Sequence, residues 1–108
     1  MFELFKTTFC KSALNYANDK LQERRLRQYK KVQEEARELF QKKNATYGDA
    51  FASYGVVGVL VRMGDKISRL QQITNSGVNL VDDESLRDTL IDLHNYSAMA
   101  IMLMDEKK

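Results

Sequence analysis

The sequence has no proline, no tryptophan, one cysteine, one histidine and five glycines among its 108 residues. The absence of proline removes the residue that most strongly interrupts helices. A single cysteine excludes an internal disulfide, and no cluster of histidine and cysteine exists for a zinc site. We therefore expect Cys10 to be a small core residue in a protein of the reducing cytoplasm.

Long hydrophobic runs are also missing. The apolar segment SAMAIMLM near the C-terminus is much shorter than the roughly 20 residues that cross a bilayer. The N-terminal stretch MFELFKTTFCKSALNY lacks the basic start and the unbroken apolar run of a signal peptide. We therefore expect neither membrane insertion nor secretion.

The residues that are abundant favour an all-α fold. Hydrophobic residues make up 44% and charged residues 30% of the chain, which is typical of soluble globular proteins. Leu, Glu, Lys, Arg and Gln recur throughout, and these residues lose little rotamer freedom in a helix. We predict one domain over residues 1–108, folded as a compact four-helix bundle. Its predicted helices cover about 2–17, 20–43, 56–75 and 84–105.

Local signals indicate where these helices end and which faces they bury. Asn44 and Gly48 are expected to end the second helix, residues 75–77 to form a turn, and Asp82 or Asp83 to cap the fourth helix. The apolar lines expected to be buried are Val56, Leu60, Met63, Ile67 and Leu70 in the third helix and Leu86, Leu90 and Leu93 in the fourth.

The end of the fourth helix suggests a homo-oligomer. Residues 98–103 are apolar nearly all around the helix, so they need cover on several sides. The charge distribution is also uneven. Residues 1–44 carry 11 Lys/Arg against 6 Asp/Glu, whereas residues 45–108 carry 6 against 9. Such halves can attract each other within a chain or between copies, or the basic half can meet a polyanion.

The third predicted helix carries a polar face opposite its apolar line. Arg62, Asp65, Lys66 and Arg69 fall within about a quarter-turn, and their spacing lets Asp65 pair with both arginines. The face is either a solvated surface with weak ion pairs or a cationic patch that binds phosphate.

The glycines of the same segment have two interpretations. Gly55, Gly58 and Gly64 each lower helix stability by about 1 kcal/mol relative to alanine. They allow either close packing of helices or, at the helix N-terminus, the approach of an anion to free N–H groups.

Carboxylates form a line along the fourth predicted helix. Glu84, Asp88 and Asp92 recur every four residues, and Asn95 falls on the same side. Neighbouring carboxylates repel one another unless they are solvated, paired with cations or bound to metal. Oxygen ligands of this kind suit Mg²⁺ or Mn²⁺, so we predict these three carboxylates as metal ligands if the protein is an enzyme.

The remaining polar candidates are less specific. Glu34, Glu35 and Glu38 spell E-E-x-x-E on the second helix, where glutamate is common enough for chance to produce the pattern. His94, the only histidine, is expected to pack or to form a hydrogen bond.

Three segments together resemble a known family. KNATYGDAF (43–51), VRMGDKISRL (61–70) and DESLRDTLIDLHNYSAM (83–99) resemble nucleotide modification associated domain 1, a family common in phages and bacteria. The resemblance covers about residues 43–104 and leaves a helical extension, 1–42. It implies a cytoplasmic protein that handles nucleotides. The predicted ligand-binding residues are Tyr47, Asp49, Phe51, Arg62, Asp65, Lys66, Arg69 and Asn95, with Tyr47 and Phe51 stacking on a base.

A wider similarity is to all-α nucleoside triphosphate pyrophosphohydrolases of the MazG type. Those enzymes hold Mg²⁺ between two acidic helices and release pyrophosphate. The similarity implies that Glu35 and Glu38 form one acidic pair, with the carboxylate line of the fourth helix as the other and Glu38 as a base.

Two functions are consistent with these patterns. One is binding of a nucleotide or a nucleotide-derived signal without metal, as in phage proteins that sequester defence signals. The other is hydrolysis of a nucleoside triphosphate to monophosphate and pyrophosphate with Mg²⁺ or Mn²⁺. Nucleic-acid binding by the basic segment 20–43 is least favoured, because its charges run all around the helix.

Overall fold

The computed structural model describes the backbone of residues 2–77 and 84–106 and the side chains of residues 11–77 and 84–106. Its elements are α1 (Phe2–Tyr47), a short 3₁₀ turn (Ala50–Ala52), α2 (Gly55–Asn75) and α3 (Glu84–Glu106). The described residues form no strand, which confirms the all-α prediction. No helix within these ranges is both long enough and apolar enough to span a membrane.

The described chain has three helices rather than the four predicted. The segments 2–17 and 20–43 belong to one helix, α1, that continues to Tyr47. The intervening stretch NYANDK contains no glycine or proline, and Asn and Asp each cost a helix interior only about 0.7 kcal/mol relative to alanine. The helix therefore has no local reason to break there.

Glycines end the helices where the backbone turns left-handed. The prediction that Asn44 ends a helix is wrong, because α1 ends three residues later, just before Gly48 with φ 63°. Gly77, with φ 76°, follows the end of α2 in the predicted turn. Glycine adopts these angles without the clash of a Cβ atom. The predicted caps Asp82 and Asp83 lie outside the described residues.

The chain divides into two units, Met1–Glu35 and Ala36–Lys108. Within the first unit, every described side chain from residue 11 to residue 35 is exposed, and the predicted core residue Cys10 lies outside the described side chains. Within the second unit, α2 and α3 pack around a core of Val59, Ala100 and Leu103. The side chains that surround this core are Phe51, Ala52, Val56, Met63, Tyr96 and Met99.

The buried face of α2 is rotated from the one predicted. Val56, Met63 and Leu70 are partly buried as expected, but Leu60 and Ile67 are 52% and 45% exposed. The residue at the centre of the core is instead Val59, which is 2% exposed.

The inward face of α3 differs more sharply from the prediction. Leu90 is 49% exposed, whereas Asn95, on the opposite polar side, is buried. The Asn95 Nδ2 atom donates a hydrogen bond of 3.0 Å to the carbonyl oxygen of Ala36 in α1. Ala36 is 1% exposed, and its small side chain lets the two helices approach closely enough for this bond.

The two glycines near the start of α2, Gly55 and Gly58, are required by the local backbone. Gly55 begins the helix with φ 66°, in the left-handed region. A Cβ atom on Gly58 would lie 2.6 Å from the Tyr54 Cβ atom, and the Gly58 N–H already donates to the Tyr54 carbonyl oxygen at 3.3 Å. Neither interpretation drawn from the sequence, helix packing or an anion site, is needed for Gly55 or Gly58.

Two alanine substitutions in α2 should therefore change stability in opposite directions. Gly64 has open space around it, so Gly64→Ala should raise the free energy of unfolding by roughly 0.5–1 kcal/mol. Gly58→Ala should lower it by roughly 1–3 kcal/mol, because the new methyl group meets the Tyr54 Cβ atom. Urea unfolding of both variants measures these free energies. A change of the same sign and size in both variants would contradict the prediction.

Candidate functional site

A half-buried carboxylate on α3 joins the three described helices. The Asp92 Oδ1 atom accepts a hydrogen bond of 2.9 Å from the Lys43 Nζ atom of α1, and Oδ2 lies 3.1 Å from the Lys66 Nζ atom of α2. The Asp92 side chain is 16% exposed, against 24% for Lys66 and 50% for Lys43. We call these three residues the lysine–aspartate cluster. It carries two positive charges against one negative charge.

The two lysines keep Asp92 ionised. Burial by itself raises the pKa of the Asp92 carboxyl group. The hydrogen bonds and positive charges of Lys43 and Lys66 outweigh this effect, so the pKa of Asp92 lies below its ordinary value of 3.8. The carboxylate is therefore charged at neutral pH and holds both ammonium groups in place.

Only part of the predicted cationic face of α2 contacts α3. Lys66 meets Asp92, and the Arg69 Nη2 atom donates a hydrogen bond of 3.1 Å to the Ser85 hydroxyl oxygen. The order of these contacts is reversed on α3, so the two helices run antiparallel. Asp65, whose spacing would allow it to pair with Arg62 and Arg69, forms no ion pair with any described residue.

Asn95, predicted to bind a ligand, already has protein partners at both ends of its amide. Nδ2 donates to the Ala36 carbonyl oxygen, and Oδ1 lies 3.3 Å from the His94 Nδ1 atom. Asn95 is 8% exposed, so these contacts join α1 to α3 inside the unit. The expectation that His94 forms a hydrogen bond is confirmed.

The two aromatic residues predicted to stack on a base lie in different environments. Phe51 packs against the core and meets the Phe40 ring edge to face, with centroids 6.1 Å apart and planes at 71°. Tyr47 is 70% exposed and lies one helical turn after Lys43. Of the two, Tyr47 is the ring that a ligand near the cluster could reach.

Lys43 and Tyr54 are not among the ligand-binding residues predicted from the sequence. Tyr54 is 86% exposed at the start of α2. Lys43 is the first residue of the segment KNATYGDAF, on which the family resemblance rests. That position is the one feature of the sequence that points to a role for Lys43, because nothing in the residue spacing links it to an aspartate 49 residues later.

The predicted metal ligands do not form a group in the structure. Glu84 and Asp88 are exposed, and both oxygens of Asp92 face lysine ammonium groups. Among the described side chains, those of residues 11–77 and 84–106, no three of His, Cys, Asp or Glu are arranged to hold a metal ion. The described side chains therefore do not fit the predicted Mg²⁺ or Mn²⁺ site. Glu38 and Asp49 are exposed side chains.

The segment that contains the cluster matches a family of known sequences. Residues 43–104, more than half of the chain, match nucleotide modification associated domain 1. The chain belongs to this family. No curated protein and no solved structure matches it. The whole lysine–aspartate cluster lies inside this nucleotide modification associated domain, whereas residues 1–42 lie outside the match.

Replacing Asp92 should produce a stability loss that depends on pH. The pKa of Asp92 is lower in the folded state than in the unfolded state. Its ion pairs therefore add to the free energy of unfolding above the unfolded pKa, and this contribution is lost as the pH falls through the folded pKa. Asp92→Asn should lower the free energy of unfolding by roughly 1–2 kcal/mol at pH 7, and the loss should shrink below about pH 4. Asp88→Asn, on an exposed carboxylate one turn away, is the matched control and should change stability little. A loss for Asp92→Asn that stays constant from pH 7 to pH 3 would contradict the ion-pair explanation.

Asn95→Ala should reduce stability rather than act mainly on ligand affinity. Removing the amide leaves the Asn95 site without its bond to Ala36, and we expect a loss of roughly 1–3 kcal/mol in thermal or urea unfolding. An unchanged free energy of unfolding together with weakened nucleotide binding would instead support the prediction that Asn95 binds the ligand.

Proposed function

We propose that the chain binds a phosphate-bearing nucleotide or nucleotide-derived signal at the lysine–aspartate cluster. The observation that carries this proposal is the fixed pair of ammonium groups, one from α1 and one from α2, held by a single half-buried carboxylate. Both lysines lie within the family match, and the family description supports a role in nucleotide chemistry.

The cluster has unused hydrogen-bonding capacity for an anion. A lysine ammonium group has three N–H donors. Lys43 and Lys66 each direct one toward Asp92, and no further hydrogen bond of either ammonium group is formed with the described residues. The remaining donors point away from the carboxylate, and the two positive charges exceed the one negative charge. A phosphate group would complete this arrangement through charge-assisted hydrogen bonds.

Neighbouring residues extend the proposed site along the α2 helix and toward a base. Arg62 lies one turn before Lys66 on α2 and is exposed. Arg69 lies one turn after Lys66, where Ser85 orients its guanidinium group. Tyr47 offers an exposed ring one turn from Lys43, and stacking of a base on such a ring contributes roughly 1–3 kcal/mol. The proposed ligand is therefore a nucleotide whose phosphates contact α2 and whose base meets Tyr47.

Metal dependence separates this proposal from the pyrophosphohydrolase alternative. Purified protein would be mixed with nucleoside triphosphates, deoxynucleoside triphosphates and cyclic nucleotides, with Mg²⁺, with Mn²⁺ or with a chelator. After filtration the retained protein is denatured, and both fractions are resolved by chromatography. We expect a nucleotide to be retained and released intact in the presence of chelator. Conversion to monophosphate and pyrophosphate only with metal would establish the hydrolase instead.

Single substitutions then test the proposed contacts. Lys66→Ala should raise the dissociation constant of the retained nucleotide by about tenfold or more, because a charge-assisted hydrogen bond contributes roughly 1.5–3 kcal/mol. Lys43→Ala should weaken binding as well, while Lys42→Ala, an exposed lysine at the adjacent position, should change it less than twofold. Equal effects of Lys42→Ala and Lys43→Ala would indicate only general attraction by positive charge. Failure of every nucleotide to bind would reject the proposal.

A further inference from the structure

Positive charges collect on one side of the first part of α1. Residues 20–31, KLQERRLRQYKK, contain six Lys or Arg against one Glu. At 100° per residue, four of these six cations fall within about 60° of one another on the helix. The four residues, which we call the basic stripe, are Lys20, Arg24, Arg27 and Lys31. The charges of the longer segment 20–43 run all around the helix, whereas those of residues 20–31 favour one side.

The basic stripe is accessible, and its charges are hardly compensated by the chain itself. All four side chains are exposed. The Lys20 Nζ atom lies 3.9 Å from the Glu23 carboxylate, in a pair that is 60% and 58% exposed and therefore weak. Arg24, Arg27 and Lys31 form no ion pair with any described residue. Like charges three or four residues apart on a helix repel each other, so a bound polyanion would relieve a repulsion that the chain leaves in place.

The spacing of the basic stripe suits a regular row of phosphates. Its members follow one another by four, three and four residues, so the stripe is about 16.5 Å long at a rise of about 1.5 Å per residue. Duplex DNA carries one phosphate per strand for about every 3.4 Å of its axis, so this length matches about five base-pair steps. The two arginines of the stripe can each bind phosphate oxygens through paired N–H groups. A row of evenly spaced anions of this length is a property of a nucleic-acid backbone.

An anionic lipid surface fits the same segment less well. A helix that lies on a membrane places an unbroken apolar face among the acyl chains and keeps its cations at the polar boundary. In α1, Arg25 lies between Leu21 and Tyr29 on the helix surface, about 40° from each. Burial of this apolar side in lipid would therefore also bury the Arg25 guanidinium group, at a high desolvation cost. The segment therefore favours a nucleic acid over a membrane.

We propose that the basic stripe of α1 binds the phosphate backbone of double-stranded DNA without reading its base sequence. Contacts to phosphates are the same at every base pair, so they position a protein on the duplex but do not select a sequence. The basic stripe lies outside the family match, which covers residues 43–104. It shares no residue with the lysine–aspartate cluster, so this proposal does not rest on nucleotide binding by that cluster.

Fluorescence anisotropy of a labelled duplex of about 20 base pairs, titrated with the full chain between about 50 and 200 mM salt, tests the proposal. With four phosphate contacts, the logarithm of the binding constant should fall against the logarithm of salt concentration with a slope of about −3.6. Arg24→Gln should make this slope shallower by about 1 and raise the dissociation constant about threefold or more at about 50 mM salt. Arg25→Gln is the matched control: it removes the same charge at the adjacent position, about 100° or more from every member of the stripe, and should leave the slope unchanged.

Three outcomes would overturn the proposal. The first is absence of binding to the duplex at about 50 mM salt. The second is an equal effect of Arg24→Gln and Arg25→Gln, which would indicate general attraction by positive charge rather than a defined stripe. The third is binding to vesicles that contain phosphatidylserine without binding to the duplex, which would assign the surface to lipid. Circular dichroism of both variants should show unchanged helix content, because glutamine and arginine have similar helix propensities.

Discussion

The carboxylate of Asp92 is the group on which the arrangement of the second unit depends. A charge that is 16% exposed must be paired, because an uncompensated charge in that position would cost several kcal/mol. Lys43 and Lys66 provide the pairing from two different helices, and Asn95, one turn further along α3, adds a bond to the backbone of α1. These polar contacts require one face of α3 to point toward both α1 and α2.

This choice of face has a consequence for the apolar residues of the same helix. Because the side with Asp92 and Asn95 is turned inward, Leu90 and Ile101 on the other side remain exposed. The core itself is small, with Val59, Ala100 and Leu103 at its centre.

The same polar contacts create the candidate site. Two ammonium groups near one carboxylate leave an excess of positive charge, and their remaining donors suit the oxygens of a phosphate group. Tyr47 presents an exposed ring one helical turn after Lys43, whereas Phe51 contributes to the core that positions the 3₁₀ turn. The bonds that join the helices therefore also fix the two ammonium groups of the proposed site within the nucleotide modification associated domain.

The sequence by itself determined the helical class and the positions of α2 and α3 to within a residue or two, because these depend on local helix propensity. It also determined the turns at Gly48 and Gly77, because glycine favours the left-handed backbone angles found there. It also indicated that a cation of the third predicted helix would meet the acidic helix, which Lys66 does. Only the tertiary structure decided which face of α3 is buried, that Lys43 pairs with Asp92, and that Asn95 bonds to α1. The physical reason is that helical periodicity defines angles around a single axis, whereas burial depends on a second helix. The bond from Lys43 to Asp92 spans 49 residues and lies outside any local pattern.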